Sequence, residues 1–268
     1  MSETVLLVGC GNMGRAMLEG WLAAKPSLAA FVVEPAEALR ARAAALGATA
    51  VEAAADLPDG LSPDLVILAV KPQIMPSVLP DYAGFAGATF VSIAAGTTVA
   101  TLRGGLGKSA AVIRCMPNTP AAIGAGMMVC WATENVSEAA RALTADLLAA
   151  SGEVAWIEDE ALMDAVTAVS GSGPAYIFHF IEALTAAAVK AGLPEDLSQT
   201  LAMQTVMGAG RLAAESDTPP GALREQVTSP GGTTAAGLSV LRDTGALEAL
   251  LIETVEAARA RGEELGKG

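Results

Sequence analysis

Near its start the chain passes from an apolar run, Val5–Val8, into Gly9-Cys10-Gly11-Asn12-Met13-Gly14, and then into an amphipathic segment that ends near Ala24. That order reads as strand, glycine turn and helix. The glycines permit a tight turn and let the backbone approach a pyrophosphate, while the following helix presents free N–H groups and the positive end of its dipole. A plain strand-to-helix turn can carry the same G-x-G-x-x-G spacing, so the flanking strand and helix are what turn the pattern into a candidate dinucleotide site. Gly9, Gly11, Asn12, Met13 and Gly14 are its candidate cofactor contacts.

Downstream, apolar runs alternate with helical stretches. Phe31–Val33 reads as a second strand, followed by a helix over Ala36–Leu46 that Gly47 closes. Glu34 ends that strand, where an acid bonds the adenine-ribose 2′-hydroxyl and repels a 2′-phosphate; this favours NAD(H), with Arg40 and Arg42 close by in sequence. A solvated strand end is the other reading of Glu34. Ala48–Val51, Leu65–Val70, Phe90–Ile93 and Ala111–Arg114 continue the series, and their unbroken apolar character suits central parallel strands. Ligands of such sheets sit beyond the carboxyl ends of the strands, which singles out Lys71 and Pro72, then Ala94, Ala95 and Gly96, and then Cys115–Pro120. Val129–Ala132 is expected as an edge strand, Ser137 as the cap of a helix reaching Ser151, and Val154–Ile157 as the last strand.

From Glu160 the apolar period becomes 3.6 and remains so, over about Glu160–Val169, Pro174–Ala191, Glu195–Glu215, Ala222–Val227, Thr234–Asp243 and Leu247–Leu265. The fold class is therefore α/β, a Rossmann-type parallel-sheet domain over residues 1–158 followed by an all-helical domain over 159–268. With 268 residues, 52% of them hydrophobic, there is apolar sequence enough for two cores. A formal net charge of −13 opposes binding to nucleic acid or to an anionic membrane, and any anionic ligand must be held locally. Cys10, Cys115 and Cys130 have no paired spacing and read as small buried hydrophobes, so neither a disulfide nor a metal site is expected. The first residues lack the pattern of a secretory leader and no apolar run approaches a membrane span, so a soluble, cytoplasmic protein is expected.

Two stretches interrupt the helical half with glycines and hydroxyls, Ser170-Gly171-Ser172-Gly173-Pro174 and Thr228-Ser229-Pro230-Gly231-Gly232-Thr233-Thr234. In the second, backbone amides of Gly231, Gly232, Thr233 and Thr234 gather with two hydroxyls at a helix start, which suits a carboxylate. A simple helix cap would account for one threonine only. A general base is harder to find: His179, the only histidine, stands among apolar neighbours and reads as a packed imidazole. Lys190 suits a helix C-terminus, Asp164 and Glu182 read as solvated or capping charges, and Lys71 suits either catalysis or support of the cofactor.

Taken together, Gly9–Gly14, Ala69-Val70-Lys71-Pro72-Gln73, Met116-Pro117-Asn118-Thr119-Pro120, Ser170–Tyr176 and Ser229–Thr234 resemble the pyrroline-5-carboxylate reductase family in order and spacing, over nearly the whole chain. The resemblance implies reduction of the cyclic imine L-1-pyrroline-5-carboxylate to L-proline, with NADP(H) as cofactor. Glu34 departs from that pattern and favours NAD(H). It also implies an intertwined homodimer through the helical half, assembled in some relatives into a ring of dimers. Gly11, Asn12 and Met13 would meet the pyrophosphate, and Ala69 to Pro72 with Ala95 and Gly96 would border the nicotinamide ribose. Ser172 and Gly231 to Thr234 would hold the substrate, with the Thr234 hydroxyl near the imine nitrogen. Another reductase on the same plan, such as a β-hydroxyacid dehydrogenase, would want a catalytic lysine in the helical half, and a non-catalytic dinucleotide-binding protein would have no use for a carboxylate seat.

Overall fold

In the computed structural model, which describes residues 3–266, the apolar runs form one sheet of eight strands. The strands are β1 (Thr4–Val8), β2 (Ala29–Val33), β3 (Thr49–Val51), β4 (Leu65–Leu68), β5 (Thr89–Ser92), β6 (Ala111–Met116), β7 (Gly126–Ala132) and β8 (Gly152–Trp156). Their spatial order is β3-β2-β1-β4-β5-β6-β7-β8, parallel throughout except between β6 and β7. The chain runs outward from β1 to β3 on one side and from β4 onward on the other. The connection therefore reverses direction between β1 and β4, and the crevice beyond their carboxyl ends is the place where such sheets take ligands.

Alternation along the central strands feeds a core on each face. Val5 and Leu7 of β1 and Leu65 and Ile67 of β4 join Met17, Leu18 and Trp21 on one side. Leu6, Val8, Val66 and Leu68 join Met75, Leu79 and Phe90 on the other. Burial on both faces is what the uninterrupted apolar runs encode. The covering helices are α1 (Asn12–Ala24), α2 (Glu37–Ala45), the short α3 (Met75–Val78), α4 (Val99–Leu106) and α5 (Glu138–Ala149). Ser137 caps α5 by accepting from the Ala140 amide at 3.1 Å.

One expectation needs correcting here. β7 begins three residues earlier than Val129 and lies inside the sheet, paired with β6 on one side and β8 on the other, so that β8 is the edge. Met128, Val129 and Cys130 are buried accordingly. The helical stretch from Glu160 also differs in detail. It consists of a 3₁₀ turn, α6 (Met163–Val166) and a widened π turn over Thr167–Gly171, which closes when the Ser172 amide donates to the Thr167 carbonyl at 2.8 Å.

The chain divides into two compact units: one holds the residues through Ser172 together with those from Ala258 on, and the other holds Gly173–Ala257. The second unit contains α7 (Gly173–Lys190), α8 (Glu195–Glu215), α9 (Pro220–Gln226), α10 (Thr233–Leu238), a π turn over Ser239–Asp243, and most of α11 (Ala246–Gly266). Its helices leave Ile177, Phe178, Phe180, Met203, Met207 and Leu250 exposed.

Candidate active site

The glycine turn leaves β1 in a conformation set by its contacts. Gly9 has φ 86°, and a Cβ there would lie 3.0 Å from the Ala69 carbonyl oxygen, at the end of β4. Gly14, the third residue of α1, faces back to Gly9: its Cβ would fall 2.6 Å from the Gly9 carbonyl oxygen. Glycine at 14 thus lets α1 start close against β1. Gly11 is the N-cap of α1, offers no side-chain hydrogen bond to the first turn, and has open space where its Cβ would be. The donors at the start of this thirteen-residue helix have no side-chain cap, an arrangement able to hold an anion.

A cleft of about 560 Å³ opens beside the turn, lined by Gly9, Gly11, Glu34, Ala69, Val70 and Lys71 among the candidates. Sequence reasoning did not find its other walls: Glu52 just past β3, and Ile74, Val78, Asp81 and Tyr82 from the short helices after β4. Glu52 follows a strand end and was open to the same rule that singled out Glu34. The later residues belong to short helices that carry Pro72, Pro76 and Pro80 at their first or second position, and the spacing of four was the available signal. Glu34, Glu52 and Asp81 make this cleft acidic, with Lys71 its one basic lining residue.

Glu34 is not a solvated strand end. It is 7% exposed, its Oε2 accepts from the Cys10 amide at 2.7 Å, and its Oε1 accepts from the Ala36 amide at 2.9 Å. The carboxylate thereby fastens the glycine turn to the end of β2. Burial, and then the Glu34 charge, push the Cys10 thiol above its ordinary range. Burial followed by the charge of Asp81 raises the Tyr82 phenol, while Cys115 is raised first by its hydrogen bond with Cys130 and then by burial. All three cysteines are free and buried.

A second cleft of about 340 Å³ adjoins Ala69–Lys71 and is lined also by Met13, Pro72, Ala95, Met116, Asn118 and Thr119. Asn118 ties its far wall together: Oδ1 accepts from the Met127 amide at 2.9 Å, and Nδ2 donates to the Ser170 carbonyl at 3.3 Å. Ser170 and Gly171 of the first glycine-hydroxyl stretch therefore adjoin the Met116–Thr119 segment, with Ser172 at the end of the π turn. Asn12 and Gly96 line neither cleft; Asn12 is the exposed first residue of α1, and Gly96 turns the chain with φ 71°. Nearby, Glu160 Oε1 accepts from Arg114 Nη1 at 2.7 Å and from the Val99 amide at 2.9 Å, joining β6, α4 and the start of the helical stretch.

The remaining candidates belong to the second unit. Gly231 turns the chain with φ 71°, the Gly232 amide donates to the Ser229 carbonyl at 3.0 Å, and α10 starts at Thr233 without a side-chain cap. The Gly232 amide is thus occupied, which leaves the amides of Gly231, Thr233 and Thr234 as the candidate donors, and both threonine side chains are exposed. His179 is not packed in this chain: its side chain is 82% exposed and its Nδ1 lies 3.2 Å from Glu182 Oε2, one turn on along α7. Its apolar neighbours are exposed with it, so its surroundings depend on whatever covers that face. Among the described residues, no group of three or more His, Cys, Asp or Glu side chains could hold a metal ion, and no helix is long and apolar enough to cross a membrane.

Comparison with known proteins accords with this anatomy. Residues 160–265 match a family model described as pyrroline-5-carboxylate reductase dimerisation, and residues 4–96 match one described as NADP oxidoreductase, coenzyme F420-dependent. The chain is 39% identical to the pyrroline-5-carboxylate reductase of Pseudomonas aeruginosa, over 98% of this chain and 97% of that protein. The solved pyrroline-5-carboxylate reductase of Coxiella burnetii superposes with a TM-score of 0.92 at 33% identity, covering 100% of both chains. That of Plasmodium falciparum, solved with NADP bound, superposes with a TM-score of 0.82 at 30% identity, covering 98% of both.

Proposed function

Because the chain belongs to the pyrroline-5-carboxylate reductase family, we propose that it reduces L-1-pyrroline-5-carboxylate to L-proline with a nicotinamide dinucleotide. The observation that carries this reading is the pairing, in one chain, of a glycine turn whose helix start is left open with a second, uncapped helix start of threonines at Thr233–Thr234. The bound dinucleotide supplies the hydride. Everything else asked of the protein is binding, alignment and one hydrogen bond, because a protonated imine is already electrophilic.

In this reading Gly11, Asn12 and Met13 hold the pyrophosphate, Gly9 and Gly14 set the turn, and Ala69–Pro72 with Ala95 and Gly96 border the nicotinamide end. The amides of Gly231, Thr233 and Thr234 hold the substrate carboxylate, with Gly232 shaping the turn and Ser172 as a further contact. The Thr234 hydroxyl donates to the neutral imine nitrogen and relays the proton that makes the imine electrophilic, a contribution of about 10²-fold. Orientation of the imine supplies the larger share, roughly 7–11 kcal/mol in favourable cases. No strong acid is required, which is compatible with the exposed, carboxylate-paired His179.

The acidic lining of the adenosine cleft supports a preference for NADH over NADPH, since a 2′-phosphate would stand beside Glu34 and Glu52. The helical half, with a dimerisation domain and exposed apolar helices, makes this a homo-oligomer, for which a dimer or a ring of dimers in the cytoplasm is the finer reading. A domain boundary near residue 159 is supported by the dimerisation match, which starts at residue 160, whereas the compact units divide between Ser172 and Gly173.

A side-by-side assay tests substrate and cofactor together: NADH and NADPH are each expected to be consumed only when the imine is added, NADH more efficiently. No consumption with either would overturn the reading. Thr234→Ala should lower kcat/KM about 10²-fold while leaving dinucleotide affinity unchanged.

A further inference from the structure

Glu52 stands at the rim of the adenosine cleft, one residue beyond the end of β3. Arg40, from α2, is not among the residues that line the cleft. Its Nη1 donates to the main-chain carbonyls of Glu34 and Pro35, each at 2.9 Å, and its Nη2 donates to Glu52 Oε2 at 3.2 Å. The guanidinium is thus stretched across the ends of β2 and β3 immediately behind Glu34, with both Nη1 hydrogens used and its exposed edge closed by a carboxylate.

Arginine recognises phosphate through paired N–H groups in one plane, which must be free to turn toward the anion. Here the guanidinium nearest the strand-end acid is neutralised before a ligand arrives. The same carboxylate also adds a negative charge beside the place where a 2′-phosphate would come. Glu52 therefore acts on that phosphate twice, by repelling it and by occupying Arg40, a nearby cation able to bind it.

We propose that Glu52 is a specificity-determining residue of the dinucleotide site, and that it disfavours a 2′-phosphate chiefly by holding Arg40 in a closed pair. The proposal rests on the dinucleotide reading given above. The pair is open to solvent, with the Glu52 side chain 67% exposed, so neutralising Glu52 leaves the fold in place. Glu34, by contrast, is tied into the glycine turn, which makes Glu52 the acid that can change without disturbing the pyrophosphate seat.

The test is calorimetric binding of NAD⁺ and NADP⁺, and of 5′-AMP and adenosine 2′,5′-bisphosphate, to the full-length protein. In Glu52→Gln and Glu52→Ser, affinity for the two 2′-phosphorylated ligands should rise about five- to tenfold while affinity for NAD⁺ and 5′-AMP stays within about twofold. In Arg40→Gln/Glu52→Gln the gain should disappear. An unchanged ratio in both single variants overturns the proposal, as does a gain that survives loss of Arg40, since Glu52 would then act by charge alone. Glu215→Gln, which removes a carboxylate paired with Arg211 on α8, should move nothing; an equal gain there would reduce the effect to net charge and also overturn it. Failure of the unaltered protein to bind either dinucleotide would instead refute the dinucleotide reading itself.

Discussion

Replacing Glu34 by glutamine should cost stability as well as alter cofactor choice, because its carboxylate holds two backbone donors at once. The Cys10 amide reaches Oε2 at 2.7 Å and the Ala36 amide reaches Oε1 at 2.9 Å, at a residue only 7% exposed. Glutamine keeps one acceptor and presents an NH₂ group to the other amide, so one hydrogen bond is lost and the survivor loses its charge. Hydrogen bonds to charged groups contribute roughly 1.5–3 kcal/mol each, and an unpaired buried donor costs a similar amount. Water entering from the adjoining cleft offsets part of this, leaving a net loss of about 2–3 kcal/mol. For a chain of this size that is a fall in Tm of about 4–12 °C. Differential scanning calorimetry at one fixed protein concentration is the assay, since subunit association makes Tm concentration-dependent. With the turn loosened, kcat/KM should fall with NADH more than with NADPH. A Tm within about 1 °C of the parent, together with an unchanged cofactor ratio, would refute the conclusion that Glu34 fastens the turn.

Gly14→Ala places a methyl 2.6 Å from the Gly9 carbonyl oxygen and should displace the start of α1, costing about 1–3 kcal/mol and weakening dinucleotide binding at least tenfold by calorimetry. Glu160→Ala removes the carboxylate that Arg114 and the Val99 amide share; because Arg114 is 7% exposed while Glu160 is more open to water, a loss of about 2–3 kcal/mol is expected in chemical denaturation. Tyr82 supplies a pH dependence. Burial raises its phenol above the ordinary value of 10.0, so the unfolded chain releases that proton first and stability falls as pH rises beyond about 10, with no contribution at neutral pH. Tyr82→Phe should flatten that alkaline fall in denaturation midpoints measured from pH 8 to 11, and an unaltered slope would place the titration elsewhere.

How much of this molecule can be read from residue order follows the range of the interactions concerned. The helix over Glu195–Glu215 has the same ends in the sequence pattern and in the structure, and Ser137 caps α5 as its position implies, because periodicity and capping act within a few residues. The strand, glycine turn and helix at Val5–Ala24 are local in the same sense, and so is the class of ligand they serve. By contrast, the interior position of β7 depends on β8 pairing beyond it, and the exposure of His179 depends on which face of α7 the rest of the chain leaves open. The second acid of the cleft beside the glycine turn, the closed Arg40–Glu52 pair and the Asn118 bridge to Ser170, 52 positions away, join groups far apart in sequence. Glu34 shows the division within a single residue. Its charge at the end of β2 is a property of the sequence alone. That the charge is turned inward to hold the Cys10 amide, 24 positions back, was decided when β1 and β2 paired and brought that buried donor beside it.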